Sequence, residues 1–257
     1  MAQLSPDRLD AQLETCTAQF ADLVAASDAG LPIPTCPEWT LRQLATHVGR
    51  AHRWAAEIVR TRAAEGIPFR DVPDGAYPAE PSERGPWLRA GARRLTEAAG
   101  EAGTDIVWSF VGAVPPVFWT RRMAHETLVH LADAQIAAGQ QPAMDPASAA
   151  DAIDEWVSVM SGPNPGAPDE RALAMPEGAV MHLHATDDGL DGGEWLIRNT
   201  AGGIVVSAGH GSADVAMTGP AQSLLLVLLG RLPQADPAVT VHGDGSILAS
   251  WLDVTRF

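Results

Sequence analysis

The sequence contains no lysine; its seventeen basic residues, all arginine, face thirty-two acidic ones, for a formal net charge of −15. Such a surface repels phosphate backbones and anionic lipid, so neither nucleic acid nor a membrane surface is an expected partner. Cysteine is almost absent. Cys16 and Cys36 are too few for a disulfide framework or a cysteine-rich zinc site, and a reducing cytoplasm is the expected compartment. Long apolar runs are missing too. The longest, SLLLVLLG, falls far short of the roughly 20 residues that span a bilayer. The opening MAQLSPDRLDAQLETC has no basic segment followed by an apolar run, so no signal peptide is expected. There is no internal repeat and no low-complexity tract. What is abundant is Ala, Gly, Pro and Arg, a composition that suggests a GC-rich bacterial genome. At 257 residues the chain can bury one large core or two smaller ones.

The first part reads as four amphipathic helices. Ser5 and Pro6 open one that carries Leu9, Leu13, Phe20, Leu23 and Val24 inward and stops at Asp28-Ala29-Gly30. A proline-rich connector, LPIPTCPEW, leads to Thr40, which caps a second helix with Leu41, Leu44, Val48, Ala51, Ala55 and Ile58 at helical spacing. Prolines mark a loop before Ser82, where a third helix begins and runs through Trp87, Leu88 and Leu95. A fourth extends from about Val117 to Ala138. Together they predict an antiparallel four-helix bundle. After GQQPAMDPA and a helix over 147–160, SGPNPGAPDE is a second linker. The remainder changes character. AVMHLHAT, EWLIRNT, GIVVSAG and DVAMTG are short β-rich runs that predict an antiparallel meander. Helices PAQSLLLVLLGRL and GSILASWLDVTRF flank a further strand, AVTVHGD, to give a small α+β domain with helices on one face. The expected division is 1–142 and 143–257, with the 147–160 helix bridging the two.

The stretch AHETLVH, residues 124–130, resembles the zinc-protease signature H-E-x-x-H but is one residue too long. Successive helical residues rotate by about 100°, so His125 and His130 diverge by about 140° and cannot hold one ion from a regular helix. The protease reading is excluded, because that chemistry needs the histidines four apart with the glutamate between them as base. Glu126 and His130 differ by only about 40° and share a face. Two ligands make a weak site. A third must come from another helix, and His47 and His52 in LATHVGRAHRW both flank the apolar seam. Periodicity leaves the choice between them open.

CPEWTLRQLATHVGRAHRWAAEIV and RRMAHETLVHLADAQIAAG together resemble the mycothiol-dependent maleylpyruvate isomerase family, whose bundle is shared with the DinB-like metalloproteins. ADVAMTGPAQSLLLVLLGRLP and VTVHGDGSILASWL resemble that family's sterol-carrier-like C-terminal domain. The resemblance implies zinc or another divalent ion on His47, Glu126 and His130, with open coordination positions. It implies mycothiol, the low-molecular-weight thiol of actinobacteria, as partner and a small, unsaturated, anionic molecule as substrate, acted on by isomerisation or thiol transfer. It also implies a functional arginine in the C-terminal domain, and Arg231 matches best, as a group for a substrate carboxylate. Arg231 equally suits a helix C-terminus, where the macrodipole favours a cation.

Two other readings stay open at this point. One is a metalloenzyme of the same fold that needs no thiol, a hydrolase or a lyase-like enzyme of secondary metabolism. The other is a non-catalytic ligand-binding protein with a structural metal. His125 is expected to face outward or to support the site from behind, and His52 to be a cleft or surface residue. Arg121 and Arg122 read as helix surface, and the two cysteines as buried or incidental thiols. His182 and His184, in MHLHA, share one face of a strand, but the sequence offers no third ligand beside them, so both read as solvent-face histidines. Substrate-shaping residues are expected on loops 63–82 and 104–118, and the chain is expected to be a monomer or homodimer.

Overall fold

A computed structural model describes residues 3–161 and 175–255. These residues form two compact units, one of Ser5–Ala143 and the other of the residues from Met144 onward together with those up to Leu4. Most of the linker SGPNPGAPDE lies outside the described residues. No described helix is long and apolar enough to cross a membrane.

The first unit is a four-helix bundle of α1 (Pro6–Ala26), α2 (Leu41–Thr61), α3 (Pro81–Ala102) and α4 (Val117–Ala137). The helix starts follow local chemistry. Ser5 Oγ accepts from the Arg8 amide, and the Thr40 amide donates to Gln43 Oε1 at 2.8 Å, one half of a capping box. The third helix starts at Pro81, so Ser82 falls within its first turn. Leu13, Ala55, Ile58, Leu95, Trp119 and Met123 meet in the core. Close approach of α2 to α3 depends on Gly49, whose hypothetical Cβ would lie 2.0 Å from the Trp87 ring. Arg53 is 4% exposed and sits over that ring, 4.3 Å from its centroid.

Two features of this unit were not expressed as periodicity. A short hairpin, β1 (Val107–Ser109) with β2 (Gly112–Val114), fills part of the connection before α4. Trp108 on it accepts at its carbonyl from Trp119 Nε1 at 2.9 Å. The connector LPIPTCPEW folds back on itself, with the Ile33 amide donating to the Trp39 carbonyl and the Leu41 amide to that of Leu31.

The second unit begins with α5 (Pro146–Ser161), whose first turn is capped by Asp145 accepting from the Ser148 amide. It continues with β3 (Val180–Ala185), β4 (Glu194–Thr200), β5 (Gly203–Ala208), β6 (Val215–Gly219), α6 (Ala221–Leu228), β7 (Thr240–Gly243) and α7 (Gly245–Thr255). The expected meander holds only for β3, β4 and β5. The sheet order is β5-β4-β3-β6-β7, and β6 pairs with β3 in parallel. The chain leaves the β5 edge, crosses one face of β4 and β3, and re-enters on the far side of β3. Alternating apolar residues specify a strand but not its neighbour, so this crossover is not encoded in periodicity. The other face carries Met181, Leu183, Trp195, Ile197, Val215 and Met217, all within 1% of full burial. Trp195 Nε1 there donates to Asp154 of α5.

Candidate metal centre

The seam of α2 is made of Leu41, Leu44, Ala45, Val48 and Ala55, each fully buried. His47 lies beside that seam, about two turns after the Thr40 cap. From the facing side α4 presents Glu126 and His130, four residues apart. His47 Nε2 donates to Glu126 Oε1 at 2.9 Å, and His130 Nε2 to the same oxygen at 3.2 Å. The three residues each offer one ligand atom within 4.8 Å of the others. Tetrahedral ligands about 2.0–2.1 Å from a zinc ion lie about 3.3 Å apart, so these short separations fit one ion shared by all three.

Electrostatics keep the donors distinct. Burial alone would raise the Glu126 pKa, but Arg122, His130 and His47 together hold it well below the usual carboxylate range. Arg122 pairs with Glu126 Oε2 and leaves Oε1 to the histidines. Burial alone would lower the His130 pKa, but hydrogen bonds to Asp133 and Glu126 lift it to about 9. The two ring nitrogens face carboxylate oxygens on either side, Nδ1 toward Asp133 and Nε2 toward Glu126.

Behind His130 stands Asp133, fully buried on the same helix. Its Oδ2 accepts from His130 Nδ1 at 2.8 Å, and its Oδ1 from Thr35 Oγ1 at 2.6 Å. Cys36 Sγ lies 3.8 Å from Oδ2. Cys36, His130 and Asp133 thus form a second close trio. Its carboxylate is already engaged by hydrogen-bond donors and has no exposed face for a further ligand. A carboxylate behind the ring, fixing its tautomer and orientation, is the usual support of a metal-binding histidine. The folded connector delivers Thr35 and Cys36 to this place, together with Trp39, whose ring is 5.0 Å from that of His47. Phe69, from the 63–82 loop, lies on His47 at 6.0 Å.

The remaining sequence candidates fall elsewhere. His52 is fully buried, with Nε2 donating to Thr127 Oγ1 at 2.7 Å, and Thr127 in turn donates to the Met123 carbonyl. Burial, with Arg53 nearby, pushes its pKa down to about 3. It is a neutral core histidine and not a cleft or surface residue, because its place on α2 points into the bundle. His125 is 2% exposed rather than outward-facing, since α4 is enclosed on most sides. Arg231 belongs to the second unit, where its Nη1 donates to the Leu229 carbonyl at 2.7 Å, just past the end of α6. His182 is 4% exposed and so is not a solvent-face residue. Asp133, Thr35, Arg122, Trp39 and Phe69 were missed as site residues. For Asp133 and Arg122 a signal existed: each is one helical turn from a ligand candidate, His130 or Glu126.

Residues 11–135 match the family described as "Mycothiol maleylpyruvate isomerase N-terminal domain", and residues 147–249 match "MDMPI C-terminal domain". Among solved structures, the chain is similar to a mycothiol-dependent maleylpyruvate isomerase at 15% identity and a TM-score of 0.61, covering 94% of this chain and 95% of that one. A histidine-to-alanine mutant of a mycothiol-dependent maleylpyruvate isomerase is similar at 14% identity and a TM-score of 0.59, with the same coverage. Comparison with curated proteins finds no match.

Proposed function

The chain belongs to the mycothiol maleylpyruvate isomerase family, and on that premise we propose that it is a divalent-metal-dependent isomerase or thiol transferase. Its thiol partner is mycothiol and its substrate a small, unsaturated, anionic molecule. The observation that carries this reading is the convergence of His47, Glu126 and His130 from two helices on one point, with Glu126 Oε1 between the two Nε2 atoms.

In this reading His47 and His130 offer Nε2, and Glu126 offers Oε1, to zinc or another divalent ion. When bound, the ion supplies Lewis acidity at an open position, lowering the pKa of a thiol whose reversible addition to a double bond permits rotation. Asp133 holds the proton on His130 Nδ1, which turns the Nε2 lone pair toward the site. Arg122 keeps Glu126 ionised and fixes which oxygen it presents. Trp39 and Phe69 cover His47 with aromatic faces and limit water at that side. Arg231 is the group proposed for a substrate carboxylate, which its planar guanidinium suits.

The test is metal analysis of protein purified without added zinc. His47→Ala and Glu126→Ala should each lose one equivalent of metal per chain, and retention of the wild-type content by both would overturn the triad. Mycothiol added to the cobalt-substituted protein should then shift the visible band. An unchanged spectrum at saturating thiol would transfer the proposal to a thiol-independent metalloenzyme.

A further inference from the structure

We propose that the C-terminal unit carries a second transition-metal site, formed by His182, Glu194 and His210 with His184 at its edge. His182 and His184 share one face of β3, two residues apart. Glu194 begins β4 directly opposite His184 in the antiparallel register, so its side chain emerges on that same face. The fourth residue comes from the crossover. The Gly209 amide donates to the Glu194 carbonyl, and a Cβ on Gly211 would lie 2.9 Å from the Leu196 side chain. Asp214 ends the crossover with its amide on the Val180 carbonyl. The segment is thus held flat across β4 and β3, and His210 is laid over the two strand histidines.

The donor geometry fits an ion. His210 Nδ1 lies 3.1 Å and His184 Nδ1 3.4 Å from Glu194 Oε1, near the about 3.3 Å expected between ligands on a tetrahedral zinc. The His182 ring meets that of His210 edge-on at 4.9 Å. His182, Glu194 and His210 each offer one ligand atom within 4.8 Å of the others. His210 has a side chain 71% exposed, so it can swing to close the remaining gap.

A hydrogen-bonded cluster accounts for part of this arrangement but not for His182. Glu194 accepts from His210 and lies beside His184, whereas His182 Nε2 is buried with no hydrogen-bond partner. A buried imidazole nitrogen left unsatisfied is unfavourable. His182 is at the same time one of the three residues whose ligand atoms lie within 4.8 Å of one another. Two imidazoles and one carboxylate, with a third imidazole alongside, select zinc, copper, nickel or iron over magnesium and calcium.

The test uses the full-length chain, stripped with chelator and titrated with zinc alone. Glu126→Ala should still bind one equivalent. Adding His210→Ala or Glu194→Gln to that variant should weaken this binding at least tenfold, with the metal-free melting temperature unchanged by His210→Ala. Absence of zinc binding by Glu126→Ala, or undiminished binding after His210→Ala, would overturn the proposal. Failure of the N-terminal centre is read separately: the wild type would then bind one ion that Glu126→Ala leaves in place and His210→Ala removes.

Discussion

Replacing Asp133 by asparagine tests whether the carboxylate behind His130 organises the metal centre. Asp133 is fully buried and accepts two short hydrogen bonds, from His130 Nδ1 at 2.8 Å and Thr35 Oγ1 at 2.6 Å. Asparagine keeps the shape but removes the charge. It can accept through one atom only, so either His130 or Thr35 faces an N–H donor. Hydrogen bonding to Asp133 is the largest influence raising His130 to about 9, and without it the ring titrates lower. Loss of such a supporting partner weakens metal binding by roughly 10–100-fold, which is about 1.4–2.7 kcal/mol. Competition against a chromophoric chelator, in the Glu194→Gln background, reads the affinity. NMR titration of the metal-free protein reads His130. Because His130 must lose a proton to bind an ion, wild-type affinity should rise tenfold per pH unit up to about 9. The Asp133→Asn variant should leave that slope at lower pH. A folded variant with unchanged affinity and an unchanged slope would refute the supporting role.

His52 makes acid destabilising. Its folded pKa is about 3 against an ordinary 6.5, so below 6.5 the unfolded chain binds the proton first and stability falls as pH falls. The slope approaches ~1.4 kcal/mol per pH unit, and urea melts from pH 6.5 to 4.5 should show it in the wild type but not in a folded His52→Gln variant. Parallel curves would contradict this assignment. Gly49→Ala gains up to ~1 kcal/mol of helix propensity. It also drives a methyl to 2.0 Å from the Trp87 ring, an overpacking worth about 1–3 kcal/mol or more. A net loss of stability is expected in denaturant melts, and a gain would show that α2 and α3 are not in close contact there. Burial raises the Cys16 thiol to about 11, so Ellman's reagent at pH 8 should label it only at the rate of unfolding. Prompt labelling of both cysteines would disprove its burial.

The sequence by itself determined the elements whose signals are local. Ser5 and Thr40 as caps, the seam of α2 and the breaks before Gly30 and after Ala138 depend on backbone chemistry within a few residues, and each could be placed by inspection. The spacing of Glu126 and His130 likewise put both on one face, because helix geometry is fixed at 3.6 residues per turn. The choice of His47 over His52 was different: it depended on resemblance, because both residues border the same seam. The folded chain separates them by what each ring touches, Glu126 for one and Thr127 for the other.

Only the tertiary structure decided which distant residues serve which face. The connector's internal hydrogen bonds carry Thr35 to Asp133, 98 residues away, and no periodic pattern records that path. In the second unit the strands were legible, yet their order was not, since alternation specifies an inward face and leaves the partner strand open. The parallel pairing of β6 with β3 sends the intervening segment across the sheet. That route lays His210 beside His182, on the face where the β3–β4 register has already placed Glu194, whereas in the sequence His182 and His184 read as a solvent-face strand pair. Long-range ligand sets are made by chain crossings, and a crossing is a property of the packed sheet rather than of any stretch of residues.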